Sequence, residues 1–154
     1  MTKSGELWGT TQEDALIKGN LVHNILSEID TREDLPRVMD KFRINEEFSE
    51  VIQKELLTLI SAVINHPDLN IYFSPGARVL REKDIVSPNG EILRPDRLNF
   101  NGKKVTILDY KTGRLRPGHR EQMEGYASIL DQMGFEIDKK VLIYINNDVT
   151  ITFV

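Results

Sequence analysis

Two aspartates and a lysine, Asp96, Asp109 and Lys111, are the side chains whose types and spacing best suit metal chemistry in this sequence. Between them, Asn101-Gly102 predicts a β-hairpin, because both central residues of a type I′ turn need positive φ. Side chains alternate between the two faces of a strand, so the predicted hairpin brings all three onto one face. Two neighbouring carboxylates cost free energy unless a cation lies between them, and a divalent metal with oxygen ligands meets that need.

The register of this hairpin sets the distance between the two aspartates. If Asn101-Gly102 forms the whole loop, Asp96 pairs with Ile107, and Asp109 lies diagonally across from Asp96. Diagonal neighbours on two paired strands are about 7–8 Å apart by Cα geometry. The alternative interpretation is a solvated hairpin in which an aspartate and the lysine form a surface ion pair.

A second hairpin would add Glu82 to the same face. Residues 87–90, Ser-Pro-Asn-Gly, match a type I turn followed by a glycine bulge. The resulting three-residue loop places Glu82 opposite Asp96. A two-residue loop at Asn89-Gly90 would place Lys83 there instead.

The other segments alternate between helical and strand periodicity. A capping-box spacing of Thr10 and Glu13, followed by apolar residues at helical spacing to Ile29, predicts a first helix. Further helices are predicted over residues 31–41, 45–64 and 119–134. From Ile71 onward the pattern changes to strands, and residues 140–145 and 149–154 close the chain as two more. The helix at 119–134 carries Gln122 and Tyr126 on one face, because they are four residues apart.

The length and composition restrict the class of protein. A chain of 154 residues predicts a single domain, and 40% hydrophobic with 29% charged residues is ordinary for a soluble globular protein. No run approaches the roughly 20 apolar residues that span a bilayer, and the first ten residues lack the form of a signal peptide. We therefore expect a cytoplasmic protein with no membrane partner. The absence of cysteine excludes disulfides and an iron–sulfur cluster.

The charge is unevenly distributed along the chain. The formal net charge is −4, but residues 1–70 carry 13 acidic and 7 basic side chains, whereas residues 71–154 carry 11 and 13. Beyond Lys111 follow Arg114, Arg116, His119 and Arg120, around the start of the predicted helix. A phosphate-binding surface needs local positive charge, and a helix N-terminus adds to it, so this segment is the predicted contact with a nucleic-acid backbone.

The same residues resemble a known nuclease signature. Pro95-Asp96, followed by Asp109-Tyr110-Lys111, resembles the PD-(D/E)XK pattern, and residues 109–113, DYKTG, resemble the form found in RecB-like nucleases. Two flanking motifs stand in the order of that family. Gly19 and His23 resemble its GxxxH motif, and Gln122 and Tyr126 resemble its QxxxY motif. Without the resemblance, His23 would be a histidine at the edge of a helix core.

The resemblance implies a restriction-endonuclease-like α/β fold, with a mixed central sheet and helices on both sides. It implies that Mg²⁺ or Mn²⁺ is bound by His23, Asp96, Asp109 and the main-chain carbonyl of Tyr110, with Glu82 as an additional or outer ligand. Lys111 would position the attacking water and offset charge at the phosphate. Gln122 and Tyr126 would contact DNA or order the site.

The function implied by the resemblance is metal-dependent hydrolysis of DNA in repair or recombination, with exonuclease action as the first expectation. The implied partners are DNA and a helicase domain or subunit, because such nucleases often end helicase-nuclease chains. A catalytically silent nuclease-fold module that binds DNA or a repair partner is the alternative. The presence of every nominal catalytic residue argues against it.

Overall fold

The computed structural model describes residues 12–45 and 49–154. Within these ranges the helices are α1 Gln12–Leu26, α2 Leu35–Asn45, α3 Glu50–Ile64 and α4 Pro117–Gln132. The strands are β1 Arg78–Arg81, β2 Ile85–Val86, β3 Ile92–Leu93, β4 Arg97–Asn101, β5 Lys104–Lys111, β6 Glu136–Ile145 and β7 Val149–Phe153. Short 3-10 turns cover Arg32–Asp34 and Asn70–Phe73. No helix in the described ranges is long and apolar enough to cross a membrane.

The chain divides into two compact units. One unit extends to Gly76 and includes Ile145–Val149, and the other consists of Ala77–Tyr144 and Thr150–Val154. The helices α1, α2 and α3 belong to the first unit, whereas α4 and strands β1 to β5 belong to the second. That residues 1–154 form a single nuclease domain stays a prediction.

In the helical unit, α1 buries Val22 and Leu26 of the predicted apolar stripe, and α3 buries most of its own but leaves Val51 exposed; the ends of both helices also differ from the prediction. α1 ends at Leu26, three residues before the fully buried Ile29. α3 begins at Glu50, because the Ser49 hydroxyl caps it by accepting a hydrogen bond from the Ile52 amide at 3.3 Å. The predicted helix start at Asn45 was wrong, since that residue ends α2.

The main sheet has the strand order β1-β4-β5-β6-β7. β4 pairs antiparallel with β1 and β5, and β5 pairs parallel with β6, so the sheet is mixed. The parallel pair is joined by α4, as a parallel connection requires a crossover. The predicted α/β class with a mixed central sheet is confirmed. Strands begin at Arg78 rather than at Ile71, which lies in a 3-10 turn.

The β4–β5 hairpin has a different loop from the predicted one. Asn101 pairs with Lys104, and Leu98 with Ile107, so the loop is Gly102-Lys103. Gly102 has φ of +61°, but neither neighbour has positive φ, a sign pattern that matches a type II′ turn rather than type I′. The predicted pairing of Asp96 with Ile107 was therefore wrong. Because the pairing moved by two residues, every side chain keeps its predicted face.

The second hairpin has the predicted register. The Ser87 amide donates to the Glu91 carbonyl at 2.8 Å, and Gly90 adopts φ of +83° in the bulge position. The same register continues between β1 and β4, where Arg81 pairs with Arg97. The Glu82 amide donates to the Asp96 carbonyl at 3.1 Å, which confirms that Glu82 lies opposite Asp96.

One face of the main sheet forms a core with α4. Its buried residues come from β4, β5, β6 and α4, with Ile85 from β2; they include Leu98, Val105, Ile107, Met123, Tyr126, Leu130, Leu142 and Tyr144. By the alternation of side chains, Asp96, Asp109 and Lys111 lie on this same face, beyond its apolar part. These three polar residues therefore lie at the edge of the hydrophobic core.

Candidate metal centre

The two aspartates are held together by hydrogen bonds to the main chain. Asp96 Oδ2 accepts from the Tyr110 amide at 2.8 Å, and Asp109 Oδ1 accepts from the Asp96 amide at 3.3 Å. The strand register explains this arrangement, because Arg97 pairs with Leu108 and the next residues outward are Asp96 and Asp109. The two carboxylates thus stand directly across from each other, closer than the predicted diagonal.

Lys111 lies beside this pair, as predicted. Its Nζ is 2.8 Å from Asp109 Oδ2 and donates to Gln122 Oε1 at 2.5 Å. The lysine side chain is 18% exposed and the Asp109 side chain 4%, so this ion pair is largely removed from water. The surface ion pair that was the alternative interpretation does not fit such burial.

Glu82 contributes a third carboxylate. One of its oxygens lies within 4.8 Å of an oxygen of Asp96. Its backbone has φ of +52°, and it is the one non-glycine residue with positive φ in the described ranges. A left-handed residue other than glycine costs about 1–2 kcal/mol, and such strain is concentrated at functional sites. This local conformation separates β1 from β2 and turns the chain at the site.

Burial changes the acidity of Asp109. Burial raises its pKa to about 7, the negative charge of Asp96 adds to the increase, and the Lys111 ammonium opposes it. With that pKa, Asp109 is about half protonated at neutral pH, because the positive charge around it is too small to stabilise the ionised carboxylate. A divalent cation with oxygen ligands would supply that charge.

Gln122 and Tyr126 both face the site from α4. Gln122 accepts the hydrogen bond from Lys111, and the buried Tyr126 hydroxyl donates to the Arg94 carbonyl at 3.4 Å. Burial raises the pKa of Tyr126, so its phenol stays neutral. The residues of the predicted QxxxY motif therefore touch the lysine and the chain segment that leads into β4.

The remaining predicted site residues lie in several parts of the structure. The Tyr110 side chain is buried, and burial raises its pKa, so only its main-chain carbonyl can serve as a ligand, as predicted. Arg114, Arg116 and Arg120 are exposed, on the connection from β5 and the first turn of α4. His23 is half-buried in α1 of the helical unit, and its role as a ligand stays a prediction.

One polar pair at this end of the sheet includes Tyr144, which was not singled out from the sequence. His119 Nδ1 lies 2.8 Å from the Tyr144 hydroxyl, and Tyr144 pairs with Lys111 across the parallel strands. Strand periodicity could have assigned Tyr144 to a face. Its neighbour on β5 depends on the length of the crossover and on a register shift between Val105 and Thr106, which no local pattern reveals.

Comparison with known proteins adds little to this geometry. No protein-family model and no curated protein matches the chain. A solved structure titled "Crystal structure of SSO0001" is 19% identical, with 90% of this chain and 77% of that chain covered and a TM-score of 0.35. Similarity at that level carries no argument about fold or function.

Proposed function

We propose that this chain is a metal-dependent nuclease of the RecB-like PD-(D/E)XK type, which hydrolyses phosphodiester bonds of DNA. The observation that carries the proposal is the contact chain from Asp96 through Asp109 and Lys111 to Gln122, at the end of one sheet face. These four residues come from three of the motifs that the sequence shares with that family. A scaffold domain would have no need to set the half-buried Asp96 and Lys111 against a buried Asp109.

The donor set suits Mg²⁺ or Mn²⁺. Asp96, Asp109 and Glu82 offer carboxylate oxygens, which hard divalent cations prefer, and the raised pKa of Asp109 reflects a deficit of positive charge there. By resemblance, the Tyr110 carbonyl and His23 complete the ligand set. When bound, the ion would supply Lewis-acid stabilisation of phosphoryl charge and activation of water.

The side chains around the carboxylates have complementary roles. The Lys111 ammonium, held between Asp109 and Gln122, positions the attacking water and offsets negative charge that develops on the phosphate. Gln122 fixes the direction of Lys111, and Tyr126 fixes the segment before β4 through the Arg94 carbonyl. Positioning of this kind matters because small displacements of reacting groups cost large factors in rate.

The exposed arginines Arg114, Arg116 and Arg120 hold the DNA backbone beside the site. With a net charge of −4, the chain has weak overall attraction for DNA, so a helicase domain or subunit would deliver the strand. The expected cellular role is DNA repair or recombination in the cytoplasm, with exonuclease action.

Cleavage of end-labelled single- and double-stranded DNA tests the proposal. Purified protein is incubated with Mg²⁺, Mn²⁺ or EDTA, beside Asp109→Ala, Lys111→Ala and the matched control Lys104→Ala, an exposed lysine at the other end of β5. We expect metal-dependent cleavage that both site variants abolish and the control keeps. The product ladder distinguishes exonuclease from endonuclease action.

Calorimetry separates the negative outcomes of this experiment. If the protein binds metal but does not cut, and Asp109→Ala no longer binds metal, the site needs its helicase partner. If the wild-type protein neither cuts DNA nor binds metal, the nuclease proposal is wrong. The catalytically silent module would then be the better description.

A further inference from the structure

The contact between His119 and Tyr144 lies beside the proposed site but has no role in it so far. His119 occupies the first turn of α4, and its Nδ1 is 2.8 Å from the Tyr144 hydroxyl. Tyr144 pairs with Lys111 in parallel register, so their side chains share the face of the sheet that carries the carboxylates. The histidine is therefore a neighbour of the groups that would handle phosphate.

Donor and acceptor counting assigns the tautomer of His119. Tyr144 is 4% exposed, and within the described residues its hydroxyl has no hydrogen-bond partner other than His119 Nδ1. A hydroxyl in so little exposed a residue gains free energy by sharing its proton, and Nδ1 is the acceptor within reach, which favours the tautomer in which the phenol donates to Nδ1. A neutral imidazole carries a single N–H, and that N–H is then at Nε2.

The Nε2–H group is available to a ligand. His119 is half-buried, and no hydrogen bond to its Nε2 exists among the residues that the structure describes. Burial lowers the pKa of His119, and the positive charges of Lys111 and Arg116 lower it further, which keeps the ring neutral at neutral pH. A fixed donor among cationic neighbours matches an anionic oxygen acceptor.

We propose that His119 donates a hydrogen bond from Nε2 to a backbone phosphate of the bound DNA strand, with Tyr144 as the positioning residue that selects the Nε2–H tautomer. The identity of the phosphate-bearing ligand as DNA rests on the proposed function. The arginines of the same segment are exposed, whereas His119 is held by its hydrogen bond to the buried Tyr144, so the histidine defines the position of one phosphate.

Two isosteric replacements separate the contact with phosphate from the contact with Tyr144. In His119→Gln the amide nitrogen reaches the position of Nε2, whereas in His119→Asn the amide group reaches only that of Nδ1. A phosphate contact requires the first, and a purely structural role requires the second. His66→Ala, at another half-buried histidine whose Nδ1 accepts from the Asp68 amide at 3.0 Å, is the control.

The first measurement is binding of a short labelled single-stranded oligonucleotide in EDTA, where no strand is cut. We expect His119→Asn to weaken binding by about 10-fold, as for loss of a hydrogen bond to a charged group, and His119→Gln and the control to stay within about 3-fold of wild type. Tyr144→Phe should weaken binding by less than His119→Asn, because the Nε2–H tautomer remains accessible. Melting temperatures verify that each variant is folded.

Oligonucleotides with a single methylphosphonate at successive positions locate the contact. In the wild-type protein one position should weaken binding, and in His119→Asn the same substitution should have no further effect, because the donor is already gone. Equal losses in His119→Asn and His119→Gln, no loss in either, or additive effects of variant and methylphosphonate would each overturn the inference. So would absence of binding by the wild-type protein.

These outcomes are independent of the cleavage assay. If the wild-type protein binds the strand with the expected pattern but never cuts it with Mg²⁺ or Mn²⁺, the nuclease proposal fails and the phosphate contact stands. If it cuts DNA but the binding pattern is missing, the nuclease stands and His119 is a structural histidine.

Discussion

The carboxylates of Asp96 and Asp109 each accept a hydrogen bond from the main chain at the other strand's end, Asp96 from the Tyr110 amide and Asp109 from the Asp96 amide. Each side chain is thereby held by a main-chain amide of the opposite chain segment. A carboxylate oxygen can accept more than one bond, so these hydrogen bonds are compatible with metal ligation. A preorganised pair of this kind lowers the cost of assembling a metal site.

The raised pKa of Asp109 predicts that metal binding depends on pH. Between the unfolded value of 3.8 and about 7, the folded protein holds a proton that the unfolded chain has released. The free energy of unfolding of the metal-free protein should therefore fall as pH rises through that window. Mg²⁺ or Mn²⁺ displaces the proton, so it should raise the melting temperature more at pH 8 than at pH 5.

Thermal denaturation with and without metal checks this prediction. Asp109→Asn should flatten the pH dependence of the free energy of unfolding and remove the increase in melting temperature caused by metal. Asp84→Asn, at an exposed aspartate whose pKa the Arg94 guanidinium lowers, should keep both. Equal metal-induced shifts at the two pH values would contradict the assignment of Asp109 as a ligand.

We expect substitution of Glu82 by glycine to relieve backbone strain, and loss of its carboxylate to weaken metal binding. Its φ of +52° suits glycine, so Glu82→Gly should be more stable than Glu82→Ala by about 1 kcal/mol in the absence of metal. Both variants lose the carboxylate near Asp96 and should bind Mn²⁺ more weakly than wild type. Urea denaturation and calorimetry measure the two effects, and unchanged metal affinity in both variants would remove Glu82 from the site.

We expect loss of the Gln122 side chain to slow DNA cleavage without affecting folding. Gln122→Ala frees the Lys111 ammonium from its second partner and should lower kcat/KM for DNA cleavage by about 10-fold, the usual effect of losing a hydrogen bond to a charged group. Gln132→Ala, which removes an exposed glutamine further along α4 whose side chain donates to the Ser128 hydroxyl at 3.4 Å, should have wild-type activity. Similar losses in the two variants would indicate a general effect on α4.

Gly102 tests the observed turn of the β4–β5 hairpin. Its φ is +61°, and no atom within 4 Å would obstruct an added Cβ, so Gly102→Ala should destabilise the protein by about 1 kcal/mol through backbone strain alone. Gly118→Ala, in the first turn of α4 and without positive φ, should be neutral or stabilising. The free energy of unfolding measures both, and a tolerated Gly102→Ala would mean that the loop has another conformation.

Local sequence rules predicted which residues share the site's face. Strand alternation placed Asp96, Asp109 and Lys111 together, and this remained true although the hairpin loop is Gly102-Lys103. Moving a two-residue loop by one position shifts the pairing by two residues, so faces survive but partners change. The exact pairing could not be read from the sequence, because a single glycine with positive φ is compatible with more than one turn type.

The contacts that link different elements depended on the folded chain. Two of these contacts require α4 to cross back over the sheet in one particular register. They are the position of Lys111 Nζ between Asp109 and Gln122 and the contact of His119 with Tyr144. The shift in the pKa of Asp109 likewise arises from burial by residues distant in sequence. Residue type and period are local properties, and they identified the candidates and their faces. Distance, burial and the electrostatic surroundings of each group are properties of packing, and these exist only once the strands and α4 have come together.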